Sequence, residues 1–200
     1  ELTGIIRTLR DSGALIMLTT NGSFLTREAL AEWRSAGLDR IQVSLNGSTA
    51  EINDALMGQG SFNIIMRALE LIGQTDMACE VKITLVRRNI ADIPALLRMP
   101  QLRRVRKIKL QEVVPMGRAV KQGADEGMTI DELRQMESFT AKCAEAGSPA
   151  FEFGSLTLQY HKMGSACSCS IGHNAQHTAL LTETGDLLPC TASLVWGVKN

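Results

Sequence analysis

Strand-like apolar segments alternate with segments of helical apolar spacing along most of this chain, and that alternation restricts the fold more than any other feature. Gly4 to Leu9 carries Ile5, Ile6 and Leu9 at helical spacing, and Asp11-Ser12-Gly13 stops it, with Gly13 suited to a helix C-terminal cap. Ala14 to Leu18 is a short apolar run that predicts a buried strand, ending in the polar turn Thr19-Thr20-Asn21-Gly22. Thr26 has the character of an N-cap for a helix through Ala36, closed by Gly37. The cycle then repeats. Strands are predicted over Arg40–Leu45, Glu80–Val86 and Lys107–Val114, and helices over Phe62–Ile72, Asp92–Leu97 and Thr129–Ala146. Thr129-Ile130-Asp131-Glu132 has the form of a capping box.

Alternation of this kind means βαβ units and a parallel sheet. About four units are visible, whereas a closed eight-stranded barrel needs roughly 250 residues. A doubly wound sheet is the main alternative, but no Gly-x-Gly-x-x-Gly turn follows the first strand, so its dinucleotide-binding form is poorly supported. After Gly147 the character changes. Phe151–Tyr160 alternates like a strand, and His161–His177 is rich in Gly, Ser, Cys and His. Thr178–Thr182 and Leu187–Pro189 flank Glu183-Thr184-Gly185-Asp186 as a β-hairpin whose turn needs Gly185. The expected organisation is a domain over 1–148 and a second segment over 149–200.

In 200 residues, 44% of them hydrophobic, a sizeable core can be buried. Lys+Arg and Asp+Glu both number 21, which argues against a nucleic-acid or anionic-membrane partner. The basic run Arg103, Arg104, Arg106, Lys107, Lys109 is the exception and reads as a solvated strand edge or a partner patch. No apolar run approaches the roughly 18–20 residues of a membrane span, and no secretion signal is visible, so a cytoplasmic, thiol-keeping setting is expected. Of the five cysteines, Cys79 and Cys143 read as small buried hydrophobes.

Ligands of parallel βα folds sit at the strand C-termini. Those ends are Thr19–Gly22, Ser44–Gly47, Val86–Asn89 and Pro115–Arg118, and their shared polarity suits a ligand with hydroxyls, a carboxylate or ammonium, and an aromatic base. The clustered Cys167, Cys169 and Cys190 suggest soft-metal chemistry, because a hairpin turn can bring Cys169 and Cys190 together. His161, His173 and His177 share that window. The spacing of Cys169, His173 and His177 by four fits zinc, so zinc, iron–sulfur and no metal all stay open on spacing alone.

Taken in order, Thr19-Thr20-Asn21-Gly22, Val43-Ser44-Leu45-Asn46-Gly47 and Asn53-Asp54 to Gly60-Ser61-Phe62 resemble the TNG, SLDG and HDxxRGxGSF stretches of radical S-adenosylmethionine enzymes. Val86–Asn89 and Pro115–Ala119 are similar to that family's following strand ends, and Cys169…Gly185…Cys190 resembles the start of the SPASM extension. The resemblance implies a partial TIM-type (βα)6 barrel followed by the start of a SPASM/twitch hairpin. It implies reductive cleavage of S-adenosylmethionine to modify a peptide or protein. Cofactor contacts are expected from Thr20, Asn21, Ser44, Asn46, Arg67, Arg88 and Met116, and auxiliary [4Fe–4S] ligands from Cys169, Cys190 and Cys167.

The family's CxxxCxxC and GGEP stretches are absent, and Asn46 and Asn53 replace the usual Asp and His. The resemblance therefore implies a piece of a longer enzyme, entering the barrel at its second helix and inactive alone, whose exposed sheet edge should self-associate. Two other readings are a non-catalytic peptide- or zinc-binding module, and an unrelated α/β enzyme using Arg87, Arg88 and Arg118 for an anionic substrate.

Overall fold

A computed structural model describes residues 1–113, 127–145 and 149–154, together with the backbone of 180–181 and 187–188. Five strands, β1 (Met17–Thr20), β2 (Arg40–Ser44), β3 (Ala78–Leu85), β4 (Lys107–Glu112) and β5 (Ala150–Gly154), form one sheet in chain order. Every neighbouring pair is parallel. Helices α1 (Leu2–Asp11), α2 (Arg27–Ala36), α3 (Ala50–Met57), α4 (Ser61–Gly73), α5 (Ile93–Leu96) and α6 (Ile130–Glu145) surround these strands in the chain.

The strand order decides between the two sheet types. Crossovers between parallel strands are almost always right-handed. Strands laid down consecutively in one direction therefore carry their helices on one face, as in a barrel. A doubly wound sheet must reverse its order. The sequential order seen here is that of a partial (βα) barrel.

Local chemistry explains the helix ends. The Thr26 hydroxyl accepts the Ala29 N–H at 3.1 Å, and Gly37 ends α2 at φ +108°. At α6 the expected capping box is formed: the Thr129 N–H donates to Glu132 at 2.7 Å, and the Glu132 N–H donates back to the Thr129 hydroxyl at 3.2 Å. Ile41, Val43 and Leu45 of β2 and its end, Val81, Ile83 and Leu85 of β3, and Leu110 of β4 are fully buried, as are Leu30 of α2 and Ile65 of α4. No helix among the described residues is long and apolar enough to cross a membrane.

Three details depart from the sequence expectation. The first strand begins at Met17 and includes Thr19 and Thr20, while Leu15 is 77% exposed. An edge strand has a neighbour on one side only, so its apolar run does not mark its span. Helix α3 was not anticipated; Thr49 caps it by accepting the Ile52 N–H at 3.3 Å. The sheet also continues past residue 148, because β5 pairs with β4 in register Lys107↔Ala150 to Gln111↔Gly154.

The chain's two compact units are residues 1–113 with 123–155, and residues 114–122 with 156–200. In the second, β6 (Leu180–Leu181) and β7 (Leu187–Leu188) form the expected antiparallel ladder, in register Leu180↔Leu188 and Leu181↔Leu187. The turn at Gly185 lies outside the described residues.

Gly47 joins β2 to α3 at a close approach: a Cβ there would lie 2.6 Å from the Asn53 nitrogen and 2.7 Å from an Ile52 methyl. Gly47→Ala should therefore destabilise the chain by about 1–3 kcal/mol, the usual cost of overpacking. Urea denaturation measures this, and an unchanged midpoint would contradict the close approach.

Candidate functional site

Register and alternation divide the side chains of the sheet between two faces. Ile41, Val43, Cys79, Val81, Ile83, Ile108 and Leu110 share the buried apolar face. Arg40, Gln42 and Ser44 of β2, Glu80, Lys82 and Thr84 of β3, Lys107, Lys109 and Gln111 of β4, and Glu152 of β5 share the other. Parallel strands ordinarily read as apolar on both faces because both are packed. A parallel sheet with one face this polar presents that face to something polar.

The charges on this face are paired across strands. Arg40 lies 3.2 Å from Glu80, which is only 5% exposed. Glu152 takes both Lys107 at 2.6 Å and Lys109 at 2.7 Å, and these two hydrogen bonds hold its carboxyl below the usual range against the opposing effect of burial. Two of the five residues in the basic run are thus half-buried members of the polar face, while Arg103, Arg104 and Arg106 are exposed. Lys82 has no ion pair among the described residues. Burial first, and repulsion from Lys109 second, push its ammonium below the usual lysine range.

The strand-end rim is held by an asparagine network. The Asn46 side-chain carbonyl accepts the Thr84 N–H at 2.8 Å, and its backbone N–H donates to Asn53 at 2.9 Å. Asn89 accepts the Val86 N–H at 3.0 Å and donates to the Asn46 and Thr84 carbonyls, each at 2.9 Å. Asn53 and Asn89 are fully buried. Asp54 fixes the Gly60-Ser61-Phe62 turn, accepting the Phe62 and Gly60 N–H groups at 2.7 Å each and the Ser61 hydroxyl at 2.9 Å. The Phe62 bond is the main reason its carboxyl sits below the ordinary value.

The expected cofactor residues are distributed as follows. Thr20 and Asn21 form the turn after β1: the Thr20 hydroxyl accepts the Gly22 N–H and the Asn21 carbonyl the Ser23 N–H, both at 3.1 Å. Gly22 gives this turn its φ of +85° where a Cβ would meet Ala68 at 2.8 Å. Ser44 is half-buried at the neighbouring strand end, and Arg88 is exposed beyond the end of β3. These four belong to one rim. Asn46 is at the same rim, where its side-chain carbonyl accepts the Thr84 N–H. Arg67 is elsewhere: it is exposed on α4 and lines a cavity of about 520 Å³ with Glu70, Gln101 and Arg104. Arg87 is within 3.9 Å of Glu132. Met116, Arg118, the cysteines Cys167, Cys169 and Cys190, and His161, His173 and His177 lie outside the described residues.

The hydroxyls, amides and cations of the rim and polar face fit the ribose and amino-acid parts of S-adenosylmethionine. The described residues do not fit an iron–sulfur cluster. No group of three or more His, Cys, Asp or Glu among them could hold a metal ion. Burial, helped by Glu80, pushes the Cys79 thiol up to about 12, and burial also raises Cys143. Sequence reasoning missed Glu80, Lys82 and Glu152, and read Lys109 only as part of the basic run. The signal for them was the strict polar–apolar alternation within Arg40–Ser44, Glu80–Leu85, Lys107–Gln111 and Phe151–Phe153.

Residues 1–99 match the family model described as Radical SAM superfamily. The chain is 29% identical over 146 residues to the Fe-coproporphyrin III synthase of Methanosarcina barkeri, covering 70% of this chain and 36% of that protein. It is 26% identical over 179 residues to the Mycofactocin maturase MftC of Mycobacterium tuberculosis, covering 88% and 44%. Among solved structures, Streptococcus suis SuiB superposes with a TM-score of 0.72 at 13% identity, over 99% of this chain and 49% of that one. SuiB has also been solved bound to S-adenosylmethionine and to its precursor peptide SuiA. The chain spans less than half the length of each of these proteins.

The lowered Lys82 group makes a stability prediction. Between its folded and unfolded values the unfolded chain binds the extra proton, so stability rises with pH there, and at neutral pH the buried charge is a cost. Lys82→Met should melt at a higher temperature than the parent at pH 7. The gap should narrow as pH rises towards the ordinary lysine value of about 10.4. Equal melting temperatures at pH 7 would count against an unpaired, desolvated ammonium.

Proposed function

We propose, from the premise that this chain belongs to the radical SAM superfamily, that it supplies the S-adenosylmethionine-binding and substrate-facing surface of a maturase-type enzyme acting on a peptide or protein. One observation carries the reading: a parallel sheet of barrel order keeps a face of paired and unpaired charges, open at a polar rim of strand C-termini. The mycofactocin maturase and the peptide complex of SuiB support a peptide substrate.

When bound and reductively cleaved, S-adenosylmethionine supplies the one-electron chemistry for hydrogen abstraction from the substrate. The chain's own residues would bind and orient. Ser44 and Asn21, at adjacent strand ends, would hydrogen-bond the ribose, and Thr20 would hold the Asn21 turn in shape. Arg88 would face the amino-acid part, and Asn46 would fix the rim through Thr84. Arg67 and Met116 stay candidates for cofactor contact, Arg67 only with a binding mode that reaches the outer side of α4. Cluster ligands would come from outside the described residues, and Cys167, Cys169 and Cys190 are the candidates for an auxiliary [4Fe–4S] site.

Calorimetric titration of the chain with S-adenosylmethionine tests this. Ser44→Ala and Asn21→Ala should each weaken binding about 5–10-fold, the loss of a single hydrogen bond of about 1–1.5 kcal/mol. Unchanged affinity in both variants would defeat the assignment.

The β1 edge, beside Leu15 at 77% and Met17 at 47% exposure, is also a surface for strand pairing. Sedimentation velocity should show association that grows with concentration and is suppressed by Leu15→Lys with Met17→Lys. A wild-type chain that stays monomeric at high concentration would rule this out.

A further inference from the structure

We propose that Lys82 is the anchor for a carboxylate of the substrate, held on the polar face of the sheet between Ser44 and Lys109. The position follows from the register. Ser44 pairs with Lys82, Lys82 with Lys109, and Lys109 with Glu152, so the four form one row across β2, β3, β4 and β5. Adjacent members of such a row stand about 4.8 Å apart and point to the same side.

The charges around Lys82 show what is missing there. On its own strand, Glu80 is committed to Arg40 of β2 at 3.2 Å. On β5, Glu152 is shared by Lys107 and Lys109 of β4, at 2.6 and 2.7 Å. Both carboxylates of the face are thus occupied, and Lys82 is the cation without one among the described residues. A half-buried ammonium without a counter-ion is costly, and the cost grows with a second ammonium beside it. A bound anion would relieve both terms at once. Lys82 is a flexible point charge rather than a planar guanidinium fork, so it would hold one anionic oxygen without needing a fixed bidentate geometry.

This inference rests on the reading of the polar face as a substrate surface, and it narrows the substrate class to peptides with an acidic side chain or a free C-terminus near the reacting position. Ser44 ties the row to the cofactor rim, so a carboxylate on Lys82 would bring the substrate next to the cofactor.

The test uses the whole chain with 13C-labelled lysine. The ε-methylene resonance of Lys82 is assigned by its loss in Lys82→Met, with Lys82→Gln as a second variant. Three probes are added: acetyl-glutamate amide, with a side-chain carboxylate; acetyl-glutamine, with a terminal one; and neutral acetyl-glutamine amide. The Lys82 resonance should titrate below the other lysines. One or both acidic probes should raise its midpoint and bind at least fivefold more weakly to the variants, while the neutral probe does nothing. Which acidic probe acts distinguishes side chain from terminus. S-adenosylmethionine should leave the midpoint in place and bind both variants as it binds the parent chain.

No response to either acidic probe would overturn the proposal. So would a midpoint moved by S-adenosylmethionine together with loss of its binding in the variants, since Lys82 would then belong to the cofactor. A chain that binds the acidic probes through Lys82 but never binds S-adenosylmethionine would sink the cofactor reading and leave the carboxylate anchor standing.

Discussion

Helices cover one face of this parallel sheet and leave the other to polar side chains, and everything the molecule could do depends on that asymmetry. It follows from winding. Consecutive right-handed crossovers keep the helices on a single side, so Ile41, Val43, Val81, Ile83 and Leu110 bury against them. The opposite face has the same backbone geometry but polar occupants, of which Gln42 and Glu80 are buried. Its occupants are Arg40, Gln42, Ser44, Lys82, Lys107, Lys109 and Glu152, side chains that an apolar core would not tolerate unpaired.

The strand ends need a second constraint, because a rim that binds anything must hold its shape. Three asparagines supply it. Asn46, Asn53 and Asn89 take up backbone donors and acceptors at the ends of β2 and β3, and no two of them neighbour each other in sequence. Asp54 does the same for the turn into α4. The motif positions that resemble a cofactor-binding family are thus, in large part, positions that fix the backbone around the rim. Asn46 illustrates this: its side-chain carbonyl accepts the Thr84 N–H and so ties the end of β2 to β3.

Much of this was legible in the sequence where local chemistry sets the outcome. Thr26, Gly37 and the Thr129–Glu132 box act through neighbours three or four residues away, and each was read correctly. The strands β2, β3 and β4 were found because β-branched and other apolar residues recur at every second position in each, bounded by turn residues. The first strand was misplaced because an edge strand loses one neighbour, and α3 was missed because its eight residues carry Asn53 and Asp54 and little apolar period. The polar face was overlooked for a different reason. Apolar content announces a strand, but only the parity of the intervening residues, set against register between strands, shows that Ser44, Lys82, Lys109 and Glu152 form a row. That row is a tertiary fact, written in alternation but decided by pairing.

The same parity also sets a balance between stability and use. A chain selected for stability alone would place an apolar or paired residue at position 82, where a half-buried ammonium beside Lys109 opposes folding. Glu152 shows that the face can pair its lysines when a carboxylate is supplied: it satisfies two of them at once. Lys82 lies one strand further in and makes no ion pair with that carboxylate, and Glu80 is drawn to Arg40 instead. The face therefore carries a local surplus of positive charge where the row meets the rim. A charge surplus kept at a folding cost, on the polar side of a sheet whose strand ends are tied by the asparagine network, is what a surface that receives an anion requires.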